Sequence, residues 1–263
     1  MPSHAIQDRY HDAASVVHSL DPRLKLLATL AFIGAVSLVS PHDWPAYVAL
    51  LVIALAVTAA ARVPVHSVLR HSTVALPFAA LVALSLPFVQ GGVILWSGRA
   101  LGLRLVITDE GLWRLGGVLA KAWLSVLIVS LLMMTTPMPH ILDALRRLKL
   151  PVVLVMTIAL LYRYLFVLVD EAGRLETARE ARSAGAGGSL CWRARVLGGM
   201  IGSLFIRSYG RSERVYAAML ARGYDGTSCA LDEPLWRRRD WWAAATWLAA
   251  LAGALAIGQW GII

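Results

Sequence analysis

The chain has 263 residues, of which 58% are hydrophobic and only 16% charged, and its mean hydropathy is +0.65. That is more apolar and less charged than a soluble domain, so the composition marks an integral membrane protein. The formal charge of +9 reads as the Lys and Arg excess that membrane proteins gather on their cytoplasmic side, and it does not argue for nucleic acid as a partner.

The first twenty residues lack a continuous apolar run, so no cleavable signal peptide is expected. Within them "AASVVHSL" (13–20) reads as a short amphipathic helix on the membrane surface. "LDPR" then opens the first apolar stretch, 24–39, with Asp21 as N-cap and Pro22 as the first helical residue. Further stretches follow at 45–61, 73–89 (which carries Pro77 and Pro87), 116–134 and 241–263. Each approaches the roughly 20 residues that cross a hydrocarbon core of about 30 Å. The last has tryptophans at both ends, as an interfacial belt requires.

The loops set the orientation. Arg23 and Lys25, Arg62 and Arg70, and Arg146, Arg147 and Lys149 flank one side, while the turn at 40–44 has neither Lys nor Arg. The N-terminus is therefore expected inside and, with five spans, the C-terminus outside. The loop 90–111 breaks the pattern mildly with Arg99 and Arg104, and its alternating "RALGLRLVIT" reads as a small hairpin.

Residues 135–240 hold most of the arginines. "TTPMPHILDALRRLKLP" (135–151) predicts an amphipathic interfacial helix, with Ile141, Leu142, Leu145 and Leu148 on one face. The segment 152–169 is long enough to span, yet Arg163 sits at its middle, and a central arginine in lipid costs at least about 3 kcal/mol. It is read as packed on protein near the interface, with a sixth span as the alternative. The helix continues with charged residues to Ser183 and stops at Gly185, Gly187 and Gly188; a third helix covers about 192 to 222 and stops at Gly223.

Two of these helices end alike: Ala181-Arg182-Ser183 and Ala221-Arg222-Gly223. Taken singly, an arginine in a last turn followed by glycine is ordinary punctuation, since the glycine caps the helix and the charge favours the negative end of the dipole. Asp225-Gly226 likewise reads as a turn. Taken as a pair, the small flanking residues let another protein approach the backbone beside a planar cation suited to a bidentate grip on a carboxylate. Residue chemistry alone leaves both readings open.

The whole chain resembles the CbiQ/EcfT family, the transmembrane T components of energy-coupling factor (ECF) transporters, a branch of ATP-binding cassette importers. The resemblance lies in "LDPRLKLL" (20–27), "TTPMPHILDALRRLKLP" (135–151), "EARSAG" (180–185) and "RVYAAMLARGYDG" (214–226), in that order and ahead of a final apolar stretch. It implies an all-α integral membrane protein with about five transmembrane helices and a cytoplasmic coupling module. The organisation would be 1–136 for four membrane helices, 137–240 for long amphipathic coupling helices and 241–263 for a C-terminal membrane helix. It further implies that Arg182 and Arg222 each dock in one of two CbiO-like ATPase subunits, with Ala181, Ser183, Ala221 and Gly223 giving clearance; Arg179, one turn earlier, shares or takes the role of Arg182. A CbiM-like membrane substrate-binding component, with a small CbiN-like subunit as an optional addition, would pack on the apolar faces. The ending "AMLARGYDG" resembles the cobalt/nickel branch, so the implied cargo is Co2+ and the implied location the cell inner membrane.

No GxxxxGK[ST] loop is present, so ATP would be bound by the partner ATPases and this chain would need no cofactor. No paired carboxylates, nucleophile elbow or HExxH mark an active site, and the chain reads as a non-catalytic subunit. Cys191 and Cys229 stand far apart, with no CxxC and no His pair at metal spacing, so neither a zinc site nor a disulfide framework is supported. After loss of Met1 the chain would begin Pro-Ser-His, and a third-position histidine can chelate Ni2+ or Cu2+ in a square plane. A three-residue coincidence outweighs that reading for His4, and His42, His66, His71 and His140 read as interfacial. The rival function is a secondary transporter or channel moving solute through its own bundle, which expects ionisable residues within spans and an internal repeat. The spans offer mainly Lys121, near one end, and no evident repeat.

Overall fold

The computed structural model describes residue 15 and residues 17–86, 94–100, 103–183, 188–226 and 238–260. The expected amphipathic helix at 13–20 falls partly outside these residues, with a turn over 17–19, and His4, Pro87, Gly185, Gly187 and Cys229 lie outside them altogether. The elements are α1 (Pro22–Leu38), α2 (Trp44–Ala60), α3 (Val65–Thr73), α4 (Leu76–Ala83), β1 (Ile94–Ala100), β2 (Leu103–Thr108), α5 (Asp109–Thr135), α6 (Met138–Arg147), α7 (Val152–Ser183), α8 (Leu190–Ala221) and α9 (Arg238–Trp260). The fold is thus all-α apart from one antiparallel hairpin. In that hairpin Arg99 pairs with Arg104 and Ala100 with Leu103, where the alternation around residue 100 predicts it.

Two compact units divide the chain, with the boundary between Ala144 and Leu145 inside α6; α9 belongs with the first part of the chain. In that first unit α5 is the central helix, and α1, α2, α3 and α4 pack on it, while α9 packs on α1 and α2. The reason is periodicity. Leu124, Leu127, Ile128 and Leu131 of α5 are all buried at i, i+3, i+4, i+7 spacing, as are Phe32, Ala35, Val36 and Val39 at the end of α1. Phe32, Leu50, Ala54 and Leu127 are wholly enclosed in one core, which also takes Leu251 and Ala254 of α9. Trp247 stacks against Phe32 with ring centroids 6.1 Å apart.

Small residues allow the closest approaches. A Cβ on Gly117 would meet the Cα of Pro41 at 3.1 Å, so this position needs glycine for the 40–44 turn to lie against α5. Beside that turn Trp44, Trp113 and His42 form an aromatic cluster, with centroids of His42 and Trp113 5.5 Å apart. At the beginning of α1 Asp21 caps as expected, its Oδ1 accepting from the Arg23 N–H at 2.8 Å with Pro22 as first helical residue. Lys25 does more than orient the chain. Its Nζ donates to the carbonyls of His18 and Thr135, each at 3.2 Å, and so ties the start of α1 to the end of α5. Arg239 of α9 donates to the Ser19 carbonyl at the same place.

Three expectations change. The apolar stretch 73–89 is not one helix: α3 begins at Val65 and ends at Thr73, and α4 restarts at Leu76. Pro77 explains the break, because it lacks the N–H that would bond back to Thr73, and it falls in the first turn of α4, where that absence is tolerated. The fourth stretch starts earlier than 116, at Asp109, since Thr108 caps α5 by accepting from the Gly111 N–H. Segment 152–169 is, as expected, continuous with the charged helix to Ser183, forming the 32-residue α7; what changes is its cover. Four described helical stretches are long and apolar enough to cross a membrane: Val65–Ala83, Asp109–Thr135, Val152–Arg182 and Arg238–Gly258. The third of these is the stretch expected to pack on protein, and only 6% of its most apolar window is buried inside the chain. Arg163 itself is exposed.

Candidate functional site

The second unit contains the two arginine-ended helices. α6 ends at Arg147, and Lys149, two residues on, adopts φ 65. Its N–H bonds to the Arg146 carbonyl and the Leu150 N–H to the Leu145 carbonyl, a Schellman closure that uses lysine where glycine is usual. Pro151 then blocks continuation and its carbonyl accepts from Leu154, starting α7. The first half of α7 leaves Val153, Leu154 and Leu161 exposed. Its charged second half carries the chain to Ala181, Arg182 and Ser183, the last residues of the helix, with Ala181 and Arg182 exposed. The Nε of Arg179 is covered and has no hydrogen-bond partner.

α8 begins with Ser189, whose hydroxyl accepts from the Trp192 N–H at 3.3 Å. No residue of α8 is buried, and Phe205, Ile206, Tyr209 and Tyr216 stand well exposed. At its end Arg222 is the cap. The Gly223 N–H bonds to the Leu220 carbonyl and the Tyr224 N–H to the Met219 carbonyl, each at 3.0 Å. This is the full Schellman pattern, with Gly223 at φ +80 where a side chain would be strained. The glycine thus has a local job, as the ordinary reading holds. It also leaves Arg222 at the very tip, because the chain reverses immediately after it. Ala221, Arg222 and Gly223 are all exposed.

The two arginines are not brought together. α7 and α8 are joined instead by Glu171, whose Oε1 accepts from Arg207 of α8 at 2.7 Å and whose Oε2 accepts from Arg174 of its own helix at 2.6 Å. Beside this tie the helices leave an apolar groove of about 630 Å³. Tyr164, Leu168, Tyr209, Tyr216, Met219 and Tyr224 line it. All its α7 residues precede Glu171, and its α8 residues run from Phe205 on through Met219 and past the helix end to Gly226. The C-terminal arm of α8 therefore faces the N-terminal half of α7, and the arm carrying Arg182 leads away from it.

Sequence reasoning found the two tips but not Glu171. The i, i+3 spacing to Arg174 was the only trace, and nothing in the linear sequence places Arg207, thirty-six residues on, against the same carboxylate. The groove was equally invisible, because its tyrosines come from two helices. Among the described residues no group of three or more His, Cys, Asp and Glu side chains stands close enough to hold a metal ion.

Comparison with known proteins decides the family. Residues 13–231 match the family CbiQ, described as a cobalt transport protein. The chain belongs to the CbiQ/EcfT family. It is 30% identical over 261 residues to the energy-coupling factor transporter transmembrane protein EcfT of Lacticaseibacillus paracasei, covering 94% of this chain and 96% of that one. It is also 30% identical to the protein of that name from Acidaminococcus fermentans, over 97% and 96% of the two chains. An uncharacterised protein of Methanocaldococcus jannaschii is 28% identical over 79% of this chain and 76% of its own. Membership together with the long apolar helices makes the chain a multi-pass membrane protein of a transporter family.

Proposed function

We propose that this chain is the transmembrane coupling subunit of an ECF-type importer, transmitting ATP-driven motion of two ATPase subunits to a membrane substrate-binding component. One observation carries the reading: two helices of one unit end in exposed arginines between small residues, on arms that lead away from one another. Among the described residues neither guanidinium has an ion-pair partner. A permanent planar cation at a clear tip suits a carboxylate on a second protein, and two separated tips suit a partner present in two copies. The ATPases are CbiO-like and bind the ATP, and this chain needs no cofactor of its own. Residues 137–240 serve as the cytoplasmic coupling part, with the N-terminus on the same side and the chain in the inner membrane.

The uncovered faces of α7 and α8 support a CbiM-like membrane partner, since a groove of that size lined by apolar and tyrosine side chains is what a packed helix fills. The cargo is Co2+, on the likeness of the chain's last arginine motif to the cobalt/nickel branch. ATP can bias such an assembly only through contacts that differ between its open and closed states, and Arg182 and Arg222 supply them.

The test is co-purification. Arg182→Glu and Arg222→Glu place an anion against an acidic groove, so each variant should insert normally yet lose its ATPase subunits in detergent, and Co2+ uptake should fall with them. Full retention of both ATPases by the double variant would refute the reading.

A further inference from the structure

Glu171 lies where a side-chain ion pair joins α7 to α8. Its side chain is 14% exposed, whereas Arg207 and Arg174 are 56% and 64% exposed. Arg174, one turn on along α7, holds one carboxylate oxygen and so fixes the rotamer that aims the other at α8. Isolated surface ion pairs contribute little. Here the tie adds to packing: α8 has no fully buried residue, and its half-buried ones, Val196, Met200, Leu204, Val215 and Met219 among them, recur at helical spacing along one seam. A seam of half-buried side chains leaves the crossing angle loosely set, and a directional three-group tie narrows it.

The tie also stands at a mechanically telling place. Arg182 follows Glu171 by eleven residues and Arg222 follows Arg207 by fifteen, arms of about 17 and 22 Å at the helical rise. Because the α8 arm returns along the N-terminal half of α7, the two arms extend to opposite sides of the tie.

We propose that Glu171 is the fulcrum of this helix pair: a positioning residue that holds the crossing fixed while the two arginine tips move about it. The proposal rests on the coupling reading of Arg182 and Arg222. A displacement at one tip then changes the crossing angle, and with it the width of the tyrosine-lined groove, instead of dissipating as sliding. Without the carboxylate the tips would still form but would wander independently.

The first measurement uses the full chain alone in lipid nanodiscs, with Cys191→Ser and Cys229→Ser and spin labels on Thr177→Cys and Ala217→Cys, both exposed and about one turn behind the tips. Glu171→Gln and Arg207→Gln should each broaden the label-to-label distance distribution at least about two-fold, and Glu171→Asp should keep it close to that of the parent. An unchanged distribution in both Gln variants overturns the proposal. No ATPase is present, so this result is independent of whether the arginines dock there.

The second measurement uses the complex purified with its ATPases. Glu171→Gln should leave ATP turnover within about two-fold of the parent while 57Co2+ uptake falls about ten-fold, and Glu171→Asp should recover most of it. If turnover and ATPase co-purification are lost along with uptake, the residue is merely structural and the proposal fails.

Discussion

The two units of this chain are built from similar residues and treat them in opposite ways. In the first, α5 buries 39% of its most apolar window; in the second, the apolar half of α7 buries 6%. α1, α2, α5 and α9 enclose Phe32, Leu50 and Leu127 completely, whereas α8 encloses nothing. An apolar helix uncovered by its own chain is solvated by lipid or by another protein. The difference thus separates the part of the molecule with an enclosed core, whose outer helices Val65–Ala83 and Arg238–Gly258 are still only 11% and 17% buried, from the part whose helices enclose almost nothing. It also explains the distribution of polar ties. The first unit holds an enclosed one, Lys25 on the Thr135 carbonyl, beside open ones such as Arg114 on Glu110. Those of the second, such as Arg207 on Glu171, are open.

The strongest way to break this comparison is to make the same cut in both units. Leu127→Ala removes a fully enclosed side chain and should lower unfolding stability in detergent by about 2–5 kcal/mol through the cavity it leaves. Leu161→Ala, on an exposed face of α7, should change it by less than about 0.5 kcal/mol. Equal losses by thermal unfolding would mean that α7 is held as firmly as α5. Next in size is Lys25→Met, which keeps the unbranched stem but removes the ammonium donor. It leaves the Thr135 carbonyl buried and unpaired, and about 1–3 kcal/mol should be lost.

Capping gives a finer comparison. Asp21→Ala should cost about 1 kcal/mol, because its carboxylate is enclosed at the start of α1. Ser189→Ala should cost clearly less, because its bond is longer and exposed, so water replaces it. A larger loss for serine than for aspartate would reverse the ranking of the two units. The smallest global effect belongs to Gly223→Ala. A left-handed alanine costs about 1 kcal/mol, but the strain should appear only as faster amide exchange in the last turn of α8, with melting unchanged. Faster exchange through the whole of α8 would show that the tip is not a local device.

Much of this was legible from residues alone. Lipid as solvent, the helical class, the Asp21-Pro22 start of α1, the hairpin around residue 100 and the two arginine endings follow from composition, periodicity and capping chemistry, all of which act over a few residues. The resemblance to CbiQ/EcfT was legible too, since it rests on four short motifs in order. Tertiary structure decided the rest. Whether 152–169 is covered, where the Lys25 ammonium goes, which arginine meets Glu171 and which tyrosines share a groove all depend on residues tens of positions apart. No local propensity encodes such pairings. Pro77 shows the boundary between the two kinds of information: its missing N–H announces a break in any helix, but only the packing of α3 and α4 on α5 determines that the chain resumes as a helix three residues after Thr73.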